Sequence, residues 1–146
     1  MRLQFTIPTE PRTKKNHQQI RYNRRSGRRF ISTSNEYKSY VAETSFILNQ
    51  IKIKNKLKKP ITGPVNVKAI YYMASRRIVD ISNLHECLHD VLVHAGILLD
   101  DSCRVIIGTD GSRVRYDKEN PRTEVTIEFI EDETELKEWE KMMPWS

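Results

Sequence analysis

The stretch that most constrains this chain is the run from Asp80 to Asp101, Asp-Ile-Ser-Asn-Leu-His-Glu-Cys-Leu-His-Asp-Val-Leu-Val-His-Ala-Gly-Ile-Leu-Leu-Asp-Asp. Within it Leu84, Cys87, Leu88, Val91, Leu92 and Ala95 recur at the three- and four-residue spacing of a helix with one buried stripe. Ser82 is placed to cap the start, and Gly96 stands where a left-handed residue would stop the helix. Carboxylates lie before the helix (Asp80), on its polar side (Glu86, Asp90) and after it (Asp100, Asp101). An apolar helix bracketed by hard oxygen donors can hold a divalent metal ion on a rigid element.

At about 100° per residue, Asn83, Glu86, Asp90 and His94 share one flank, and His85 and His89 share another. An exposed acidic flank is the ordinary meaning of Glu86 and Asp90. The acids at both ends of the helix are what turn the reading toward a metal site. His85-Glu-Cys-Leu-His89 also matches the HExxH pattern of zinc metalloproteases. The pattern is short, no third ligand follows at a familiar spacing, and the pair lies off the buried stripe and is expected to be exposed. Cys87 reads as a small core residue, and Cys87 and Cys103 form no close motif.

Charge is distributed unevenly. The net charge is +6, but residues 1–59 carry 15 Lys or Arg against 3 Glu, and residues 60–146 carry 10 basic against 16 acidic groups. A basic half points to a polyanionic partner, and no basic amphipathic helix carries the charge to a membrane. No run is long enough to span a bilayer and the N-terminus has no signal-peptide core, so a cytoplasmic protein is expected. A length of 146 residues suits one domain.

Leu3, Phe5 and Ile7 alternate with polar residues as a strand that Pro8 to Pro11 ends. Lys14, Lys15, Arg21, Arg24, Arg25, Arg28 and Arg29 then crowd a loop or hairpin around Ser26-Gly27, with Tyr22 and Phe30 interleaved. The cations can neutralise phosphates and an aromatic ring can stack on an unpaired base. Thr33 to Glu36 has capping-box spacing, and a helix is expected from about residue 34 to 52. A Lys-rich connector leads to Pro60, and Pro64 opens a strand with Val65, Val67, Ala69 and Tyr71 on one face. Arg76 and Arg77 follow, placed to hold a phosphate ahead of Asp80. Val105 to Ile107 reads as a short strand, Asp110-Gly111 as a turn, and Val125, Ile127 and Phe129 as a half-exposed strand. Glu131 to Lys141 reads as an acidic helix with Leu136, Trp139 and Met143 on its apolar side.

The pattern Asp-x-x-Asn-Leu, a helix ending Asp-x-Leu-x-x-Ala-Gly and an apolar run into Asp-Asp, together with the early strand and Lys14-Lys15-Asn16, resembles the RusA family of Holliday-junction resolvases. The resemblance implies a RusA-like nuclease domain over residues 1–130, followed by an acidic helical tail over 131–146. It implies a crossover-junction endodeoxyribonuclease, Mg²⁺-dependent with Mn²⁺ as an alternative, acting as a homodimer on branched DNA in a bacterial or phage setting. Its carboxylates correspond to Asp80, position 82, Asp100 and Asp101. The family usually has Asp where this chain has Ser82, and Lys where it has Glu86. One carboxylate is thus lost at the helix start and one appears a turn later, which nominates Glu86 as a relocated ligand.

The expected fold is α+β, a small mixed sheet flanked by two main helices. The expected metal-binding and catalytic residues are Asp80, Glu86, Asp101 and, as ligand or orienter, Asp100. The expected DNA-binding residues are Lys14, Lys15, Arg21, Arg24, Arg25, Arg28, Arg29, Arg76 and Arg77. A helix from Ser82 to Ala95 is about 21 Å long, so Asp101 can meet Asp80 only by running straight back along it, or across a two-fold dimer. The alternatives are a catalytically weakened junction- or DNA-binding protein and, less favoured, a zinc metalloprotease.

Overall fold

The computed structural model describes residues 1–13, 18–33 and 35–145, with the backbone alone for 18–22 and 30–33. In chain order the elements are β1 (Arg2–Ile7), β2 (Gln18–Asn23), β3 (Arg28–Thr33), α1 (Asn35–Lys54), β4 (Val65–Met73), α2 (Ile81–His94), β5 (Ile106–Gly108), β6 (Arg113–Tyr116), β7 (Arg122–Phe129) and α3 (Glu133–Met142). The capping box expected at the start of α1 lies outside the described residues, because Ser34 and the Thr33 side chain fall there.

Five strands form one mixed sheet in the order β1-β7-β4-β5, with β6 also paired to β4. β7 runs antiparallel to both β1 and β4, and β4 runs parallel to β5 and β6. Register explains the core. Leu3 and Val67 both pair with Ile127, and Phe5 and Ala69 both pair with Val125, so these side chains share one face. That face, with Val65 and Tyr71, packs against the buried residues of α2 and against Tyr37, Tyr40 and Leu48 of α1. The opposite face carries Gln4, Lys68, Tyr72, Glu124 and Thr126. This is the α+β architecture expected, with α3 as a third helix beside the two main ones. β2 and β3 form a separate hairpin around the Arg24–Gly27 turn, where Asn23 Oδ1 accepts from the Arg25 and Ser26 amides.

Two expectations about α2 are corrected. Ser82 does not cap it: the helix begins at Ile81, and Asp80 occupies the cap position. The Asp80 carbonyl accepts from the amides of Asn83 and Leu84 at 3.1 and 3.2 Å, while its carboxylate makes no capping bond. His85 and His89 are half-buried, not exposed. The wheel placed them off the stripe correctly, but Tyr71 of β4 reaches over that flank. The far end behaves as expected. Gly96 has φ +76°, its amide donates to Val93 and that of Ile97 to Leu92, a Schellman stop. Lys52 of α1 adds its ammonium to the Ala95 carbonyl at 2.9 Å. The strand expected at Val105 to Ile107 is displaced by one residue, and β6 was not anticipated.

Candidate active site

Three consecutive pieces of chain build the site: the loop from β4, helix α2, and the return from Gly96 to β5. β4 ends at Met73, and residues 74–80 cross to the start of α2 with Arg76 and Arg77 exposed. Asp80 is exposed at the helix N-terminus, where a negative charge meets the positive end of the helix dipole. Among the described residues its carboxylate accepts only from the Asn83 side-chain amide, at 3.5 Å. Glu86 is exposed on the outer flank of the helix. Asp90 is half-buried, and its charge helps raise the Tyr37 phenol, so it faces α1.

The return is tied down by backbone. Ile61 donates to Ile97 and Leu99 donates to Ile61, at 2.8 and 3.0 Å, making a parallel bridge. Gly63, with φ +84°, lies where the two segments cross; a Cβ there would stand 2.5 Å from the Val105 Cα. This anchors the chain on both sides of the acidic pair. Asp100 is consumed by its own turn: Oδ1 accepts from the Asp101 and Ser102 amides at 2.8 and 3.3 Å, and Oδ2 accepts from the Ser102 hydroxyl at 2.6 Å. The Ser102 hydroxyl, first among these, holds the Asp100 carboxyl below the usual carboxylate range. Asp101 is left exposed with no hydrogen bond or ion pair to its carboxylate among the described residues. The Trp139 indole of α3 donates to the Cys103 carbonyl at 3.0 Å and braces the same turn.

The charge of Asp101 acts on His89, in the middle of α2. His89 belongs to a polar row that begins in the core. The Tyr71 hydroxyl lies 2.7 Å from His85 Nδ1, and the His85 and His89 rings stack in parallel, 5.7 Å apart. Burial lowers the pKa of both histidines; for His89, burial and then His85 bring it to about 4, against the raising effect of Asp101. His89 Nε2 is buried with no partner among the described residues. Parallel rings one turn apart, with His85 Nδ1 already engaged, are poorly arranged to converge on a zinc ion. Sequence reasoning noticed this pair only as a possible metal motif; the Tyr71 partner is invisible without the fold.

Among the described residues no three His, Cys, Asp or Glu side chains form a group that could hold a metal ion, so Asp80, Glu86 and Asp101 are not gathered in that way within one chain. Of the expected DNA contacts, Arg24, Arg25, Arg28 and Arg29 are exposed on the hairpin turn and the start of β3. Lys14 and Lys15 lie outside the described residues, as does the Arg21 side chain. Cys87 is buried and Cys103 exposed, and neither is in a disulfide. No helix among the described residues is long and apolar enough to cross a membrane.

A family model described as Endodeoxyribonuclease RusA matches residues 8–128. The match begins just after β1, ends within β7, and contains the whole of the site from Arg76 to Asp101, leaving α3 outside. No curated protein matches the chain.

Proposed function

Since the chain belongs to the RusA endodeoxyribonuclease family, we propose that it is a Mg²⁺-dependent, structure-selective endonuclease that cuts four-way DNA junctions as a homodimer. The observation that carries this reading is the pair of uncommitted carboxylates. Asp80 and Asp101 are exposed and neither is in a salt bridge among the described residues; Asp80 is held by the first turn of α2, and Asp101 by a turn anchored on both sides. Their chemistry fits the ion. Mg²⁺ takes hard oxygen donors and is commonly held by one or two carboxylates plus substrate phosphates and water, so a closed cage of protein ligands is not required.

Asp80 and Asp101 would hold the metal, with Glu86 as the candidate third ligand. When bound, Mg²⁺ offsets phosphodiester charge and lowers the pKa of a bound water. Asp100 engages both oxygens in the turn, which supports the orienting role for it over the ligand role. Arg76 and Arg77 stand ahead of Asp80 as phosphate holders, and the Arg-rich hairpin supplies the wider grip on DNA. Two copies related by a two-fold axis would supply two cuts in a symmetric junction.

A second reading, a junction-binding protein with weakened catalysis, is favoured by Ser82, by Glu86 in place of the family's usual Lys, and by the lack of a three-donor group among the described residues. A synthetic four-way junction separates the two. The nuclease reading expects paired cuts with Mg²⁺ or Mn²⁺ and tight binding without metal; binding with no cut in either metal establishes the second reading. Glu86→Ala should reduce cutting and weaken metal binding measured by calorimetry, and unchanged values would remove Glu86 from the ligand set.

A further inference from the structure

We infer that the β6 edge of the sheet is a second DNA surface, a phosphate track in which Arg113 and Arg115, with Arg76 and Arg77, seat the backbone of a duplex arm leading to Asp80. The inference rests on the DNA-directed reading above. β6 pairs with the C-terminal half of β4 in parallel register, Arg113 opposite Ile70, Arg115 opposite Tyr72 and Tyr116 opposite Met73. Arg113 and Arg115 are two residues apart, so they project from one face, about 6.7 Å apart. That is the axial rise of about two phosphate steps along one DNA strand. Both are exposed, as are Arg76, Arg77 and Lys118.

What singles out this patch is the fate of the nearby acids. Arg122 takes two of them, Asp117 at 2.9 Å and Glu124 at 3.1 Å, while its guanidinium lies 3.7 Å from the centre of the Tyr72 ring. Glu119, on the following turn, and Asp110, before β6, are the remaining acids of this region. Among the described residues, none of Arg76, Arg77, Arg113 or Arg115 is in a salt bridge. Four guanidinium groups left without ion pairs make a field that attracts a polyanion. The end of the strand that carries Arg113 and Arg115 is also joined to the site. Arg76 lies over the Tyr116 ring at 5.0 Å, and the Asp117 amide donates to the Met73 carbonyl, so the loop carrying Arg76, Arg77 and Asp80 is fastened to the end of β6.

The test compares Arg113→Ala/Arg115→Ala with a charge-matched variant, Arg2→Ala/Lys137→Ala, whose sites lie on the far edge strand and on α3. Binding to a four-way junction and to a linear duplex of the same arm sequence is measured without Mg²⁺ across a salt series. Loss of two phosphate contacts lowers the slope of log affinity against log salt by about 1.8. That drop is expected for Arg113→Ala/Arg115→Ala on both DNAs, with the slope of the matched variant near wild type. Equal slopes in the two variants, or no change in either, would overturn the inference. If wild-type protein binds these DNAs but does not cut the four-way junction when Mg²⁺ or Mn²⁺ is then added, the nuclease reading fails while the slope comparison still decides the surface.

Discussion

His89 shows how much of this site is set by a single side chain's surroundings. In an unfolded chain it takes up a proton near pH 6.5. In the folded protein, burial and His85 hold that value to about 4. Between the two values the unfolded chain binds a proton that the native state does not, so stability falls as pH drops from about 6.5 toward 4. The contribution is at most about 3 kcal/mol, reduced by residual solvent contact. Thermal melts near pH 7.5 and 5 should show a clear fall for wild type and a smaller one for His89→Phe; identical falls would mean that other groups govern the acid limb. The sequence placed His85 and His89 on one flank correctly but could not show what covers that flank, since Tyr71 lies on a strand separated from α2 by a loop. It also put the cap at Ser82, two residues beyond Asp80, which occupies it. Both are good N-cap types, and the choice depends on where the crossing loop lets the helix begin.

At the level of elements, α2 was the most legible part of the chain. The six residues of its expected stripe, Leu84, Cys87, Leu88, Val91, Leu92 and, at the C-cap, Ala95, are all buried, because a stripe at helical period has only one way to face a sheet. Leu92, fully buried, should cost about 2–5 kcal/mol as Leu92→Ala, read by chemical denaturation. Gly96→Ala should cost about 1–2 kcal/mol, because φ +76° strains any residue with a Cβ. The added methyl also meets Lys52 Nζ at 3.1 Å and so disturbs the link from α1 to the end of α2. A neutral Gly96→Ala would show that this stop does not limit stability. β4 and β7 were equally readable from alternation, whereas β6 was not. Only Val114 of its four residues turns toward the core, and two arginines around one valine give no periodic signal. Its pairing comes from β4, a contact between residues far apart in sequence.

For the whole molecule, the charge division of the sequence falls on separate elements: the basic half contains the Arg-rich hairpin, and the acidic half ends in α3, docked through Trp139 against the turn that carries Asp101. The family match was visible from the motif between Asp80 and Asp101, while the bracing role of the tail was not, because it depends on one indole reaching one carbonyl. The proposed homodimer predicts sedimentation at twice the monomer mass at micromolar concentration; a monomer at those concentrations would leave a symmetric junction to be cut one strand at a time. The central claim is that Asp80 and Asp101 together support metal-dependent cutting of branched DNA. Its most direct test is cleavage of a four-way junction by wild type, Asp80→Asn and Asp101→Asn in Mg²⁺, with binding measured in parallel. The account predicts paired cuts by wild type and a loss on the order of 100-fold or more in each variant with junction binding retained. Cutting by either variant at the wild-type rate would contradict it.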